Sequence, residues 1–114
     1  MLLDRKRLDI LKSDETEEEK KWLKGLIAGV IEDINNRVHL ISKLNEENLK
    51  ELISEYHKVS GVAANFGLVN LHKIASTCES SLKKGNIADA LAVGSELQST
   101  WIDTKKELES YNAD

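Results

Sequence analysis

The sequence runs LKELISEYHKVSGVAANFG over residues 49–67. Its apolar residues recur every three or four positions, which is the spacing of one buried face of an α-helix. Asn45 precedes the segment as a candidate N-cap, and Gly67 ends it as a residue that readily adopts the left-handed conformation of helix ends. The pattern predicts one amphipathic helix whose buried stripe is Leu49, Leu52, Ile53, Tyr56, Val59, Ala63 and Phe66.

Similar patterns on both sides of this segment predict three further helices. Upstream, Thr16 and Glu19 form a capping-box pattern ahead of an apolar stripe that runs from Leu23 to Ile41 and ends near Leu44. Downstream, a stripe over residues 68–82 ends in Lys83-Lys84-Gly85, with cations and a glycine where a helix C-terminus favours them. Asn86 can then cap a fourth, continuous helix with these inward residues: Ile87, Leu91, Gly94, Leu97, Trp101, Leu108 and Tyr111.

The connections between these helices are short, and short connections favour antiparallel neighbours. Ahead of them, Leu3, Leu8 and Leu11 have the spacing of a short helix that closes one end of the bundle. The sequence therefore predicts an all-α fold, an antiparallel up-down four-helix bundle with a short additional N-terminal helix. Its length of 114 residues fits a single domain over 1–114.

Composition excludes several classes of protein. The chain contains no proline, which favours long helices over loop-rich or β-rich folds. The formal net charge of −4 and the mixed signs along the chain give no basic footprint for nucleic acid. No apolar run approaches a membrane span and the N-terminus lacks a signal-peptide pattern, so we expect a soluble, cytoplasmic protein without a membrane partner.

Motifs for the common catalytic sites are also missing. Neither a phosphate-binding P-loop nor a G-x-G-x-x-G pattern occurs. A di-iron bundle needs Glu three residues before His, but the residues at that spacing before the three histidines are Asn36, Ser54 and Val69. The single cysteine, Cys78, lies on an apolar helix face and is expected to be an inert core thiol. We therefore expect neither a metal nor a cofactor in this chain.

His57 is the candidate functional residue of this sequence. On a helical wheel it lies at the edge of the core stripe, and its neighbours along that flank are small: Ser54, Ser60, Gly61 and Ala64. A glycine inside a helix costs about 1 kcal/mol relative to alanine, and open access to His57 would explain Gly61. An uncharged imidazole offers one ring nitrogen as a nucleophile. In the alternative interpretation, His57 is a boundary residue and Gly61 lies where two helices approach closely.

Residues 57–68 read HKVSGVAANFGL, and this stretch resembles the signature of histidine-containing phosphotransfer (HPt) domains of phosphorelays. That signature has a histidine, an apolar residue two positions on, Lys then Gly at the third and fourth positions, small residues, and then an apolar residue followed by Gly. The matching positions are Val59, Gly61, Ala63, Ala64, Phe66 and Gly67. The predicted order of helices is similar to that of the family over nearly the whole chain.

Two positions depart from the family pattern. Ser60 stands where the family usually has a lysine near the phosphoryl group, and Lys58 points about 100° away from His57 on the wheel. On the following helix the family often has Gln or Lys facing the histidine, and the alignment puts Glu79 there. A carboxylate at this position could orient the ring through its N–H, but it would repel a bound phosphoryl group.

The resemblance implies a phosphorelay intermediary without kinase or ATP-binding activity of its own. His57 would accept a phosphoryl group, through Nε2, from a receiver-domain phosphoaspartate and pass it to another receiver aspartate. Lys58, Ser60, Gly61, Ala64 and Glu79 would support the site or the partner. The implied partners are response-regulator receiver domains and a hybrid sensor histidine kinase. The receiver would carry the Mg²⁺, and this protein would be a monomer.

Two alternatives remain open from the sequence. The first is an HPt-like adaptor that docks on receiver or kinase domains without accepting phosphate, which the serine at position 60 favours. The second is a general helical-bundle interaction protein, for which a large exposed apolar patch away from His57 would be evidence.

Overall fold

The computed structural model describes residues 1–11 and 16–113. These residues form six α-helices and one 3-10 turn, with no β-strand among them, so the predicted all-α class is confirmed. The helices are α1 (Arg5–Leu11), α2 (Glu17–Lys43), α3 (Leu49–Asn65), α4 (Val69–Lys83), α5 (Ile87–Gly94) and α6 (Leu97–Ala113), and the turn spans Glu46–Asn48.

Four of the helices pack in a ring around one core. α3 contacts α2 and α4, α6 contacts the same two helices, and α5 lies mainly against α4. The molecule measures 48 × 22 × 20 Å, and the 27 residues of α2 account for most of its long axis, since a helix rises about 1.5 Å per residue. The arrangement leaves one face of α3 beside one face of α4, and this junction carries the site described below.

The apolar stripes predicted for α2, α3 and α4 form this core. Fully buried members include Ile27 and Ile34 of α2, Val59 of α3 and Leu71 of α4. Thr16 caps α2 as predicted, since its Oγ1 accepts from the backbone N–H of Glu19 at 3.2 Å.

Asn45 caps the 3-10 turn that precedes α3, whereas the sequence pattern predicted that it caps α3 itself. Its side chain accepts from the backbone N–H of Glu47 at 2.9 Å, and the backbone N–H of Asn45 in turn donates to Oδ1 of Asn48 at 3.3 Å. The capping box therefore opens the 3-10 turn, and α3 begins after it, at Leu49.

The fourth helix is divided, whereas the sequence pattern predicted a continuous one. α5 ends at Gly94 and α6 starts at Leu97, at a Gly-Ser pair of the kind that often bends helices. A Cβ on Gly94 would lie 2.7 Å from the hydroxyl oxygen of Tyr56, so the glycine lets α3 approach closely here. Because α5 is free to take its own orientation, it buries Ala90 against α4, and Leu91, predicted to face inward, is 55% exposed.

The N-terminal helix is present as predicted, and it contacts α6 and the turn between α3 and α4. Leu8 is fully buried, and Tyr111 of α6 donates its hydroxyl hydrogen to Asp9 at 2.8 Å. At the turn between α3 and α4, Gly67 has a φ of +71°, and its carbonyl accepts from the backbone N–H of Asp4 at 2.7 Å. Arg7 Nε donates to the carbonyl of Asn65 at 2.8 Å. The first eleven residues are therefore tied to the turn that joins α3 and α4.

Candidate functional site

His57 lies near the middle of α3 and projects from it. Its side chain is 73% exposed, although its neighbours Tyr56 and Val59 are buried and hold this turn of the helix on the core. The predicted position at the edge of the stripe therefore agrees with the structure. The imidazole therefore projects from a continuous helix and is open to a second molecule.

Glu79 of α4 contacts the ring of His57, as the sequence alignment suggested. The imidazole Nδ1 lies 2.9 Å from Glu79 Oε2 and 3.2 Å from Oε1. An ionised carboxylate only accepts hydrogen bonds, so the pairing puts the hydrogen of a neutral ring on Nδ1. Nε2 then carries the free lone pair, and no described residue of the chain hydrogen-bonds to it. In this tautomer, Nε2 is the ring nitrogen whose lone pair is not used within the described part of the chain.

Lys83, which the sequence pattern places only at the end of a helix, is the third group of the site. Its Nζ lies 2.8 Å from Glu79 Oε2, the oxygen that also contacts His57. The i,i+4 spacing between Glu79 and Lys83 was a signal for this pair, because such residues are neighbours on a helix surface. The site is therefore a chain of three groups, an ammonium, a carboxylate and an imidazole, across the junction of α3 and α4.

The charges around Glu79 lower the pKa of its carboxyl below the ordinary value of 4.5. The hydrogen bond from Lys83 is the largest cause, and burial works against it, while the contact with His57 lowers the pKa further. Because folding lowers this pKa, the ionised contacts stabilise the fold above about pH 4.5. That contribution is lost as the pH falls through the lowered pKa of the folded protein.

Replacing Lys83 with Met is expected to raise the pKa of Glu79 toward 4.5, because it removes the strongest interaction that favours the ionised carboxyl. A titration of the Glu79 side-chain carbon by NMR measures this change directly. Lys84→Met is the matched control, since Lys84 is the adjacent exposed lysine, and it should leave the titration unchanged. An identical Glu79 titration in wild type and Lys83→Met would contradict the role of Lys83 as the main partner of this carboxylate.

The flank beside His57 is open, but Ser60, one of its four predicted residues, is buried and does not belong to it. Gly61 and Ala64 are exposed, and a Cβ added to Gly61 would meet nothing within 4 Å. No neighbouring helix therefore requires a glycine at position 61, which removes close helix packing as its reason. Access to His57 remains as an explanation for the glycine.

Ser60 does not belong to this exposed flank. It is only 7% exposed, and both its hydroxyl and its carbonyl oxygen lie 3.1 Å from Nδ1 of His72 on α4. A carbonyl only accepts, so His72 Nδ1–H donates to it. The wheel put Ser60 on the open side because it could not show how closely α4 approaches there. His72, for which the sequence indicates no role, is the side chain that contacts Ser60.

Lys58 points away from the site toward α2, as the wheel predicted. Its Nζ lies 3.5 Å from Oε2 of Glu55, a buried carboxylate that also accepts from Arg37 Nη1 at 3.0 Å. Arg37 bridges back to Asp33 at 3.1 Å. This network joins α2 to α3, so the structure brings Glu79 to His57 and directs Lys58 elsewhere.

The single cysteine lies in the core and away from the site. Cys78 is fully buried as predicted, and burial raises the pKa of its thiol. Within residues 1–11 and 16–113, no three His, Cys, Asp or Glu side chains cluster in a way that could hold a metal ion. No helix in the described part of the chain is both long and apolar enough to cross a membrane.

A comparison with protein-family models matches residues 23–109 to the Hpt domain. The matched span holds all of α3, α4 and α5 and most of α2 and α6, and it contains the three groups of the site. Searches of curated proteins and of solved structures gave no significant match.

Proposed function

Because the chain belongs to the Hpt domain family, which acts in histidine phosphotransfer in two-component phosphorelays, we propose that His57 is its phosphoacceptor. The observation that carries the proposal is the exposed imidazole with Nδ1 held by Glu79 and Nε2 left free. A receiver-domain phosphoaspartate would be the donor, and the aspartate of another receiver would be the final acceptor.

The transfer step follows from the hydrogen bond at Nδ1. The lone pair of Nε2 attacks phosphorus, the bond between phosphorus and the aspartyl oxygen breaks, and its electrons return to the aspartate carboxylate. Nδ1 keeps its proton, so the phosphorylated ring carries a positive charge that faces Glu79. The reverse step, toward the second receiver, restores the neutral ring. Glu79 is thus a positioning residue, which fixes the tautomer and the direction of the imidazole.

The chain supplies little catalytic machinery beyond this, and phosphoryl transfer needs little more than positioning and charge neutralisation. The proposal therefore assigns Mg²⁺ to the receiver partner. Gly61 and Ala64 give the partner close access along α3, because neither carries a bulky side chain beside His57. We further propose that α2, α3, α4 and α6 run up and down in antiparallel order within a single domain. The protein would be cytoplasmic and monomeric. Its partners would be a hybrid sensor kinase and response regulators.

Transfer of label from phosphorylated receivers tests the proposal. Purified receiver domains are charged with radiolabelled phosphate in the presence of Mg²⁺ and mixed with this protein. The expected product is a labelled protein whose label is lost in acid and retained in base, as for a phosphoramidate, and which maps to the peptide that contains His57. Absence of label with every receiver of a broad panel, in a protein with intact helical structure, would contradict the proposal.

A second candidate function is an adaptor that binds receiver or kinase domains without accepting phosphate. The observation that favours it is the neutral, buried Ser60 at the position where the family usually has a lysine. The adaptor and the relay differ in their need for the His57 ring, because only the relay uses it as a nucleophile.

A further inference from the structure

The proposed phosphoacceptor needs a nearby cation that position 60 does not provide. A phosphoryl group on His57 carries up to two negative charges, and Glu79 beside the ring adds a third. Ser60 is neutral, and its hydroxyl is engaged by His72. Within this chain, a charge equivalent to that of the usual lysine on α3 would have to come from another element.

Among the lysines near the site, Lys58 and Lys83 have different partners. Lys58 is held by Glu55, which is buried at the junction of α2 and α3. Lys83 contacts the same oxygen of Glu79 as His57 does, at 2.8 Å against 2.9 Å. Its Nζ therefore lies no farther from the ring nitrogen Nδ1 than the sum of these two distances. The Lys83 side chain is 59% exposed, so it is free to turn toward a group bound on the solvent side.

We propose that Lys83 on α4 takes over the role of the absent lysine on α3 and neutralises the phosphoryl group on His57. This inference rests on the proposed function. In the unphosphorylated protein Lys83 pairs with Glu79. After transfer, Glu79 faces the positively charged ring, and the ammonium of Lys83 moves from the carboxylate to the phosphoryl oxygens. The positive ring then pairs with the negative carboxylate of Glu79, and the positive ammonium of Lys83 pairs with the negative phosphoryl group.

The equilibrium distribution of label between a receiver and this protein measures the contribution of Lys83. Lys83→Met is expected to lower the share carried by His57, with a fall of about threefold to fivefold in the transfer equilibrium constant, because ion pairs between exposed groups are weak. Lys83→Arg should retain most of the wild-type value. Lys84→Met, which removes the adjacent exposed lysine, is the matched control and should leave the equilibrium constant unchanged.

Two further measurements separate a direct contact from an effect passed through Glu79. In a Glu79→Gln background, the loss of Lys83 should still lower the equilibrium constant, since the proposed contact is with the phosphoryl group itself. The equilibrium constant should also fall with added salt in wild type and less steeply in Lys83→Met, because salt screens exposed charges. Thermal unfolding shows whether each variant is folded.

The outcomes distinguish this inference from the proposed function. Label on wild type with equal equilibrium constants for Lys83→Met and Lys84→Met would overturn the role of Lys83 and leave His57 as the acceptor. An effect of Lys83→Met that disappears in the Glu79→Gln background would overturn the direct contact. Failure of wild type itself to take up label would contradict the proposed function, on which the inference rests.

Discussion

A His57→Gln variant is expected to take up no label from phosphorylated receiver domains under conditions in which the wild-type protein is labelled. Glutamine is similar in reach to histidine, but its amide nitrogen has no basic lone pair to attack phosphorus. The fold should change little, because the His57 side chain is 73% exposed and the lost contact with Glu79 is worth at most about 1 kcal/mol. Transfer is measured by labelling, and stability by urea unfolding of the same preparations.

The other two histidines provide matched controls for this experiment. His39 is exposed on α2, and His72 covers Ser60 on α4. Glutamine at either position should leave the protein able to accept label, although His72→Gln loses the contact with Ser60. Label that persists in His57→Gln and disappears in one of the other variants would identify a different acceptor.

The same variant separates the relay from the adaptor in a cell whose signalling output depends on this protein. A relay requires the nucleophile at position 57, so His57→Gln should abolish the output. An adaptor requires only the docking surface, which the glutamine leaves nearly unchanged. Wild-type output from the His57→Gln protein, together with absence of label on wild type, would favour the adaptor.

Much of the fold was predictable because it depends on repeated, local signals. The stripe of α3 and the cap at Thr16 each follow from spacing within one segment, and the structure confirms both. The division of the fourth helix at Gly94 was not predicted, and the close approach of Tyr56 to this glycine joins residues that are far apart in the sequence. The wheel that assigned Leu91 to the core treated residues 87–111 as one helix, whereas the structure has two.

The candidate site was predictable to a similar degree. The exposure of His57 and its pairing with Glu79 followed from a wheel and a family alignment, and both agree with the structure. The burial of Ser60 depends on the approach of His72 from another helix, which a wheel of α3 alone does not contain. Lys83 was present in the pattern as a helix-terminal cation, and its contact with Glu79 gives it a second interpretation.

The second large effect concerns the turn that joins the site helices to the N-terminal segment. Gly67 has a φ of +71°, and a Cβ there would lie 2.8 Å from the carbonyl oxygen of Asp4 and 3.0 Å from Cβ of Arg7. The first neighbour is backbone, and Asp4 is already fixed by its N–H donating to the Gly67 carbonyl at 2.7 Å. Relief of the clash would therefore require α1 to move away from the turn, which exposes part of the fully buried Leu8.

Gly67→Ala is accordingly expected to lower the free energy of unfolding by about 3 kcal/mol or more. About 1 to 2 kcal/mol of this loss comes from placing alanine in a left-handed backbone conformation, and the rest comes from displacement of the N-terminal segment. Gly85→Ala isolates the first part, because Gly85 has a φ of +82° and a Cβ there would meet nothing within 4 Å. Urea unfolding of the two variants measures the difference. Equal losses would mean that the contact between Gly67 and Asp4 adds nothing to stability, whereas a larger loss for Gly67→Ala assigns the excess to the packing of residues 1–11 against this turn.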